Sequence, residues 1–252
     1  MSETTVSVHQ PNFLPWLKLL DKILASDVYI AYDTAQYTKT EYHARQKVKT
    51  HTGPIWLTVP LRHVRDTRQL IKDVRIDNSQ PFRRRHLKVL RMSYQSTPYF
   101  DEIFPLIQDT YARDHDYLVD LNLELIGAFC SYLNASVPIV RASTLPHDGD
   151  KTERLVQLIR AVGGSEHLTS TIGGDHQDVD WGPFHRAGIA LRSQQFEHPE
   201  YDQIGREFVP HLAAVDMLFA CGPATAEILA SRRRLVRVDP ARLHDARRVQ
   251  VR

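Results

Sequence analysis

Three residues near the amino terminus, His9, Gln10 and Asn12, carry the side chains a group-transfer site needs. An imidazole titrates near neutrality and can take or give a proton during reaction. The two amides can bind a substrate carbonyl, amide or sugar hydroxyl. A second set lies much later: Gln195, His198 and Tyr201, with Pro199 forcing a turn among them. His198 competes with His9 for the role of general base. Cys221, just ahead of Gly222-Pro223, is an acyl-accepting thiolate if a histidine adjoins it, and an inert core residue otherwise.

Charged residues supply the anchoring groups. Asp33 and Gln36 follow the apolar run Val28-Tyr29-Ile30-Ala31-Tyr32. If that run neighbours the first strand, Asp33 sits near His9 and orients it or binds a cation. Arg45 and Lys47 alternate, so a strand puts both on one face, either as an anion clamp or as a solvated surface. Lys22 reaches a phosphate or carboxylate as a point charge, or is simply solvated. Lys151-Thr152 opens a helix whose unpaired N–H groups suit an anion, although the spacing is not that of a P-loop. Gly173-Gly174-Asp175 offers a close backbone approach to a ligand. Asp216, set among apolar residues, needs a buried partner. Thirteen histidines and two cysteines show no zinc-ligand spacing, so no metal and no cofactor is expected.

These residues need a scaffold that delivers them to one place. Thr5–Val8 is a strand, Pro11 and Pro15 forbid its continuation, and Trp16–Ala25 is a helix that Pro15 can open. His9, Gln10 and Asn12 then sit at the carboxyl end of a strand, where α/β proteins build their sites. A hairpin is expected over residues 38–61, turning at Thr50-His51-Thr52-Gly53-Pro54. Strands are expected at 71–76, 138–142, 167–171 and 189–196. Between about 81 and 134 the periodicity is helical, clearest from Tyr117 to Leu133. Further helices are expected at 150–162, stopped by Gly163-Gly164, and at 181–187, 208–219 and 224–234. The fold class is α/β: a mixed, largely parallel sheet flanked by helices, with a helical subdomain mid-chain. One domain covers 1–235, and an arginine-rich tail runs from 236 to 252.

The blocks His9-Gln10-Pro11-Asn12-Phe13-Leu14-Pro15-Trp16 and Asp21-Lys22-Ile23 resemble the opening signature of the WbqC-like family. Asp33-Thr34-Ala35-Gln36-Tyr37, Arg45-Gln46-Lys47-Val48-Lys49 and Trp56-Leu57-Thr58-Val59-Pro60 resemble its next segments. Lys151-Thr152, Gln195 through Tyr201 and Asp216 through Gly222 match later blocks in order, so the resemblance spans roughly residues 5–225. It implies a role in a pathway for surface polysaccharides or other secondary products. Under it, Gln10, Asn12, Lys22, Gln36, Arg45, Lys47, Lys151, Thr152, Gln195 and Tyr201 bind substrate, and His9, His198, Asp33 and Cys221 are the catalytic candidates.

Composition narrows the classes. The chain has 252 residues and a formal charge of +2, which gives no reason to expect a nucleic-acid partner. Two cysteines suit a reducing compartment. Met1-Ser2-Glu3-Thr4-Thr5 lacks the charged and apolar regions of a secretory signal, and no apolar run reaches bilayer length. The expectation is a cytoplasmic transferase that moves an acyl or aminoacyl group to an amine or hydroxyl of an amino-sugar or similar small molecule. The donor is then a small molecule or a carrier-protein-bound acyl or aminoacyl group. A nucleotidyltransferase-like enzyme and a scaffold in a biosynthetic complex are the alternatives. The first has the strand–His loop–helix order but lacks the glycine and second histidine of a HxGH loop. The sequence sets no oligomeric state.

Overall fold

The computed structural model describes residues 3–62, 68–170 and 180–238. Gly173-Gly174-Asp175, expected to offer a close backbone approach to a ligand, and the tail beyond 238 lie outside the described residues. The first strand, β1 (Thr5–His9), ends where Pro11 removes the next ladder donor, and helix α1 (Leu17–Leu24) follows. β2 (Val28–Ala31) lies parallel to β1, pairing His9 with Ala31. The antiparallel hairpin β3 (Arg45–Thr50) and β4 (Gly53–Thr58) comes next, and then helices α2 (Phe82–Tyr94), α3 (Phe100–Ala112) and α4 (Leu118–Tyr132). β5 (Ile139–Arg141), α5 (Lys151–Ala161), β6 (Glu166–Thr169), α6 (Gly182–Arg186) and β7 (Ala190–Phe196) return the chain to the sheet. Helices α7 (Ala214–Cys221) and α8 (Thr225–Ser231) and strand β8 (Arg233–Val238) complete it.

The sheet order is β5-β2-β1-β6-β7-β8, parallel except for β8. The chain builds outward from β1 on one side through β2 and β5, then crosses to the other side at β6. The carboxyl ends of β1 and β6 therefore flank the point where strand order reverses, the usual crevice of an open α/β sheet. The fold class expected from the sequence is the one observed.

Two apolar layers hold the sheet. Val6, Val8 and Ile30 face α5 and α6, packing with Ile159, Phe184 and Leu191. The alternate residues Tyr29 and Ala31 face α1, the hairpin and the α2–α4 block, where Leu20, Ile23, Phe129 and Phe219 are fully buried. This two-residue alternation is what commits His9 to the α1 side of the sheet. Gly222 closes α7 with φ +52, and a Cβ there would collide with the Tyr99 ring.

Three expected elements differ. Residues 71–76 form a 3-10 turn at Ile71–Asp73 instead of a strand, because the Ile71 and Lys72 N–H groups are taken by the Ala35 and Asp33 carbonyls. The helix expected from Phe208 starts at Ala214, since Pro210 and the positive φ of His211 interrupt it. The helix expected to Arg234 stops at Ser231, and Arg233–Val238 pairs with β7, so the sheet continues past the expected boundary at 235. Arg234 and Arg237 are exposed on this edge strand, where charge discourages pairing with another chain.

Candidate functional site

The loop after β1 is held rigidly. His9 Nδ1–H donates to the Gln10 carbonyl at 2.8 Å, which places the lone pair of the neutral ring on Nε2. The ring meets Trp16 edge-on at 5.7 Å. Gln10 Oε1 accepts from His43 Nε2–H at 2.8 Å, and His43 Nδ1 accepts the Thr38 N–H. Burial pushes His43 down to about 4, so it stays a neutral donor and leaves the NH₂ of Gln10 as the end available to a ligand. Asn122, buried on α4, donates to the carbonyls of Pro11 and His43 at 3.0 and 2.8 Å, tying the two loops together. Asn12 is buried, and its Oδ1 has no hydrogen-bond partner among the described residues.

Beside this loop lies a cleft of about 400 Å³. Trp16, Leu17 and Lys18 line it from the start of α1, Tyr42 and Gln46 from the hairpin side, and Phe196, His198 and His211 from beyond β7. Trp16 and Tyr42 pack edge-on at 5.1 Å, making an aromatic wall. Gln46 is fully buried; its Oε1 accepts the Lys47 N–H at 2.9 Å, and its Nε2 has no partner among the described residues. An orphaned buried donor costs about 1–3 kcal/mol, which a ligand oxygen would recover. No side chain caps the first turn of α1, so its N–H groups add positive potential to that of Lys18, whose pKa is lowered by desolvation. His211 adopts φ +59, uncommon outside glycine, and is held there by its N–H donating to His198 Nε2 at 3.1 Å. Strain of this kind concentrates at functional sites.

A polar layer lies between α1 and the sheet. Asp21, fully buried, accepts from Gln194 at 2.6 Å and from Arg233 at 2.8 Å; desolvation raises it to about 6 against the pull of Arg233. Lys22 is 2 % exposed, and its Nζ donates to Ser170 Oγ, just past β6, at 2.9 Å. Desolvation, helped by the charge of Lys18, lowers Lys22 to about 7. It is therefore not the solvated or anion-facing point charge expected from the sequence.

The remaining sequence candidates scatter. His198 reaches the cleft, but its Nδ1–H donates to the Pro199 carbonyl and its Nε2 accepts the His211 N–H, so it pins a loop and offers no lone pair to a substrate. Asp33 does not touch the His9 ring. Its carboxylate is filled by Arg141 Nε, the Ser143 N–H and the Ser143 hydroxyl at 2.7–2.9 Å. Burial and the nearby Asp202 and Asp216 raise the Cys221 thiol, and no hydrogen bond from a described histidine reaches it, so the nucleophile expected there is not formed. Arg45 and Lys47 share a face as expected, yet both stack on exposed Trp56, at 4.6 and 5.0 Å from its ring centroid, turned away from Gln46. Gln36 is exposed and bridges to Leu70. At the helix start where an anion site was expected from Lys151-Thr152, the Thr152 and Glu153 N–H groups already donate to the Asp150 carboxylate in a capping box with Glu153. Gln195 points outward, while its neighbour Gln194 faces α1. Tyr201 donates to Asp216 at 2.8 Å; Tyr94 and Gln203 donate to the same carboxylate, which supplies the partners its burial demands.

Gln46, His211, Lys18, Gln194 and Asn122 were missed by the sequence reading. Strand alternation could have exposed Gln46, since Arg45 and Lys47 on one face require it on the other. Nothing local marks Asn122, whose partners lie 111 and 79 residues away. Among the described residues no group of three or more potential ligands could hold a metal ion. One described stretch, Ala214–Ser231, has the length and hydropathy of a membrane-crossing helix, but Gly222-Pro223 breaks it and half of it is buried.

Compared with known proteins, residues 10–228 match the model of the WbqC-like protein family. An uncharacterized protein of Mycobacterium tuberculosis (strain ATCC 25618 / H37Rv), Rv1507c, is 29% identical over 226 residues, covering 89% of this chain and 96% of that one. No solved structure matches the chain.

Proposed function

The chain belongs to the WbqC-like protein family, and on that footing we propose that it is a transferase of a surface-polysaccharide or secondary-product pathway. It moves an acyl or aminoacyl group to an amine or hydroxyl of an amino-sugar or similar small molecule. The acceptor, or the phosphate or carboxylate it carries, lies in the cleft against Lys18, the first turn of α1 and the Gln46 amide. The aromatic wall of Trp16 and Tyr42 covers its apolar face. His9 Nε2, with its tautomer set by the Gln10 carbonyl, takes the proton of the attacking amine or hydroxyl. The enzyme works in the cytoplasm on soluble precursors, with a small-molecule or carrier-bound donor. The observation that most supports this reading is the buried, unpartnered Gln46 donor in the wall of a cleft beside an uncapped helix start.

A thermal-shift panel of sugar nucleotides, ATP, coenzyme A thioesters and amino acids tests it. A ligand at 100 times its dissociation constant stabilises by about 2.7 kcal/mol. The expected result is a shift with a thioester or a sugar nucleotide that disappears in Gln46→Leu. No shift with any compound overturns the reading. A shift with ATP alone favours the nucleotide-binding alternative, to which the strand-order reversal between β1 and β6 lends weight.

A further inference from the structure

We propose that Ser170 is the acyl-accepting nucleophile and Lys22 its base, so that transfer runs through an acyl-Ser170 intermediate. The inference rests on the transferase reading and specifies its chemistry.

Ser170 directly follows β6, beside β1, at the carboxyl edge where the strand order reverses. It is half-buried, and its hydroxyl lies 2.9 Å from Lys22 Nζ. A serine hydroxyl at its ordinary acidity is a weak nucleophile and needs an adjacent base. Lysine fills that role in serine–lysine variants of the catalytic triad.

Lys22 is built for it. Buried lysines are rare unless paired with a carboxylate. None of the described carboxylates pairs with Lys22, and Ser170 Oγ is the only hydrogen-bond partner of its Nζ among the described residues. The adjacent Asp21 is committed to Gln194 and Arg233. The Lys22 amine lies 2.9 Å from the Ser170 hydroxyl, and desolvation lowers its proton affinity, so its lone pair can accept the Ser170 proton across that contact. Lys18, one helical turn before Lys22, lines the substrate cleft, so α1 connects the dyad to the binding site.

The step balances. Ser170 O–H gives its proton to Lys22 Nζ as Oγ bonds to the acyl carbon. The carbon–sulfur or carbon–oxygen bond of the donor thioester or ester breaks, and the leaving thiolate or alkoxide takes the proton from Lys22. The acceptor amine or hydroxyl then attacks the acyl-Ser170 ester, the proton it gives up to His9 Nε2 is the one restored to Oγ, and the carbon–Oγ bond breaks to regenerate the Ser170 hydroxyl. Each half-reaction is an acyl exchange with no net redox change.

The test uses p-nitrophenyl acetate as acyl donor, with intact-protein mass and peptide mapping as readouts. Wild-type protein should gain one acetyl group per chain, on Ser170, with a burst of p-nitrophenolate. Ser170→Ala should give no burst and no adduct while keeping the wild-type thermal profile. Lys22→Arg, which keeps a cation but loses the base, should slow the burst by roughly 10²-fold or more. Ser170→Cys preserves the site's shape and should be acetylated on sulfur, which keeps the test valid if Lys22→Arg fails to fold. No adduct on Ser170, or an undiminished burst in Lys22→Arg, overturns the dyad. Equal acetyl transfer from a thioester to an amine by wild type and Ser170→Ala also overturns it while leaving the transferase reading intact. An acetyl-Ser170 adduct in a protein that no sugar nucleotide or thioester stabilises upholds the dyad and removes the proposed substrates.

Discussion

Replacing Lys22 by methionine should stabilise the protein at neutral pH, and by an amount that depends on pH. The folded state lowers Lys22 from 10.5 to about 7, because burial and the charge of Lys18 disfavour the ammonium. The groups around Lys22 are Lys18 one turn back, the Asp21–Gln194–Arg233 network and the Ser170 hydroxyl. The unfolded chain binds the proton more tightly, so unfolding draws stability away below the unfolded pKa. The cost is largest below about pH 7 and fades as pH rises toward 10.5. Linkage puts the penalty at about 4 kcal/mol near pH 7 and about 2 kcal/mol near pH 9. Methionine fills the volume without a charge and gives up only the hydrogen bond to Ser170, worth about 1 kcal/mol. Lys22→Met should therefore be more stable than wild type by about 3 kcal/mol at pH 7, shrinking to about 1 kcal/mol at pH 9. Urea denaturation of both proteins at the two pH values measures this, and the shared titrations of other groups cancel in the difference. A difference that does not change with pH, or a variant less stable at both, refutes the argument and makes Lys22 a paired ammonium.

Three other predictions follow from the site. Asn122→Ala strands the carbonyls of Pro11 and His43, so stability should fall by roughly 2–4 kcal/mol in denaturant titrations, and a loss under 0.5 kcal/mol would contradict the pinning role. His43 and His86 are both held near 4 by burial, so stability should drop as pH falls from about 6.5 to 4, by up to about 3 kcal/mol for each ring; Asp21, raised to about 6, partly offsets this, since its neutral form favours folding below that pH. The urea midpoint followed through that range should decline, and less steeply in His86→Gln; a flat profile counts against buried neutral rings. His211→Gly relieves a positive φ and should raise stability by up to about 1 kcal/mol while weakening any ligand that shifts the wild-type melting curve; a variant that loses stability and keeps binding removes His211 from the site.

How far the sequence exposed the fold depends on the range of the causes. The strand–proline–helix opening, the Thr50–Pro54 turn and the helical middle come from local chemistry and appear where expected. Residues 71–76 have strand composition, but long-range carbonyls of Asp33 and Ala35 fold them into a turn. The arginines after residue 232 hide a strand because an edge strand needs only one apolar face. At the site, His9, Gln10 and Asn12 were legible because prolines fix their place at a strand end. Asp33, Arg45, Lys47 and Lys151 had the right residue types, but their partners are Arg141, Trp56 and Asp150, side chains whose positions only the folded chain decides.

The polar layer beneath α1 bears most directly on function. An ordinary helix packs an apolar stripe on a parallel sheet, and on the other side of this sheet Ile159 of α5 does so against Val6 and Val8. Against α1, the sheet instead presents Ser7, Ser170 and Gln194, and α1 answers with Asp21 and Lys22, all but Ser170 buried. Ser7 Oγ and Gln194 Oε1 have no hydrogen-bond partners among the described residues. Unpaired polar groups and a desolvated lysine cost stability that an apolar layer would supply. Such a cost at the strand-order reversal fits the proton-handling site proposed between β1, β6 and α1. In that proposal the cleft along Trp16 and Lys18 holds the group to be modified.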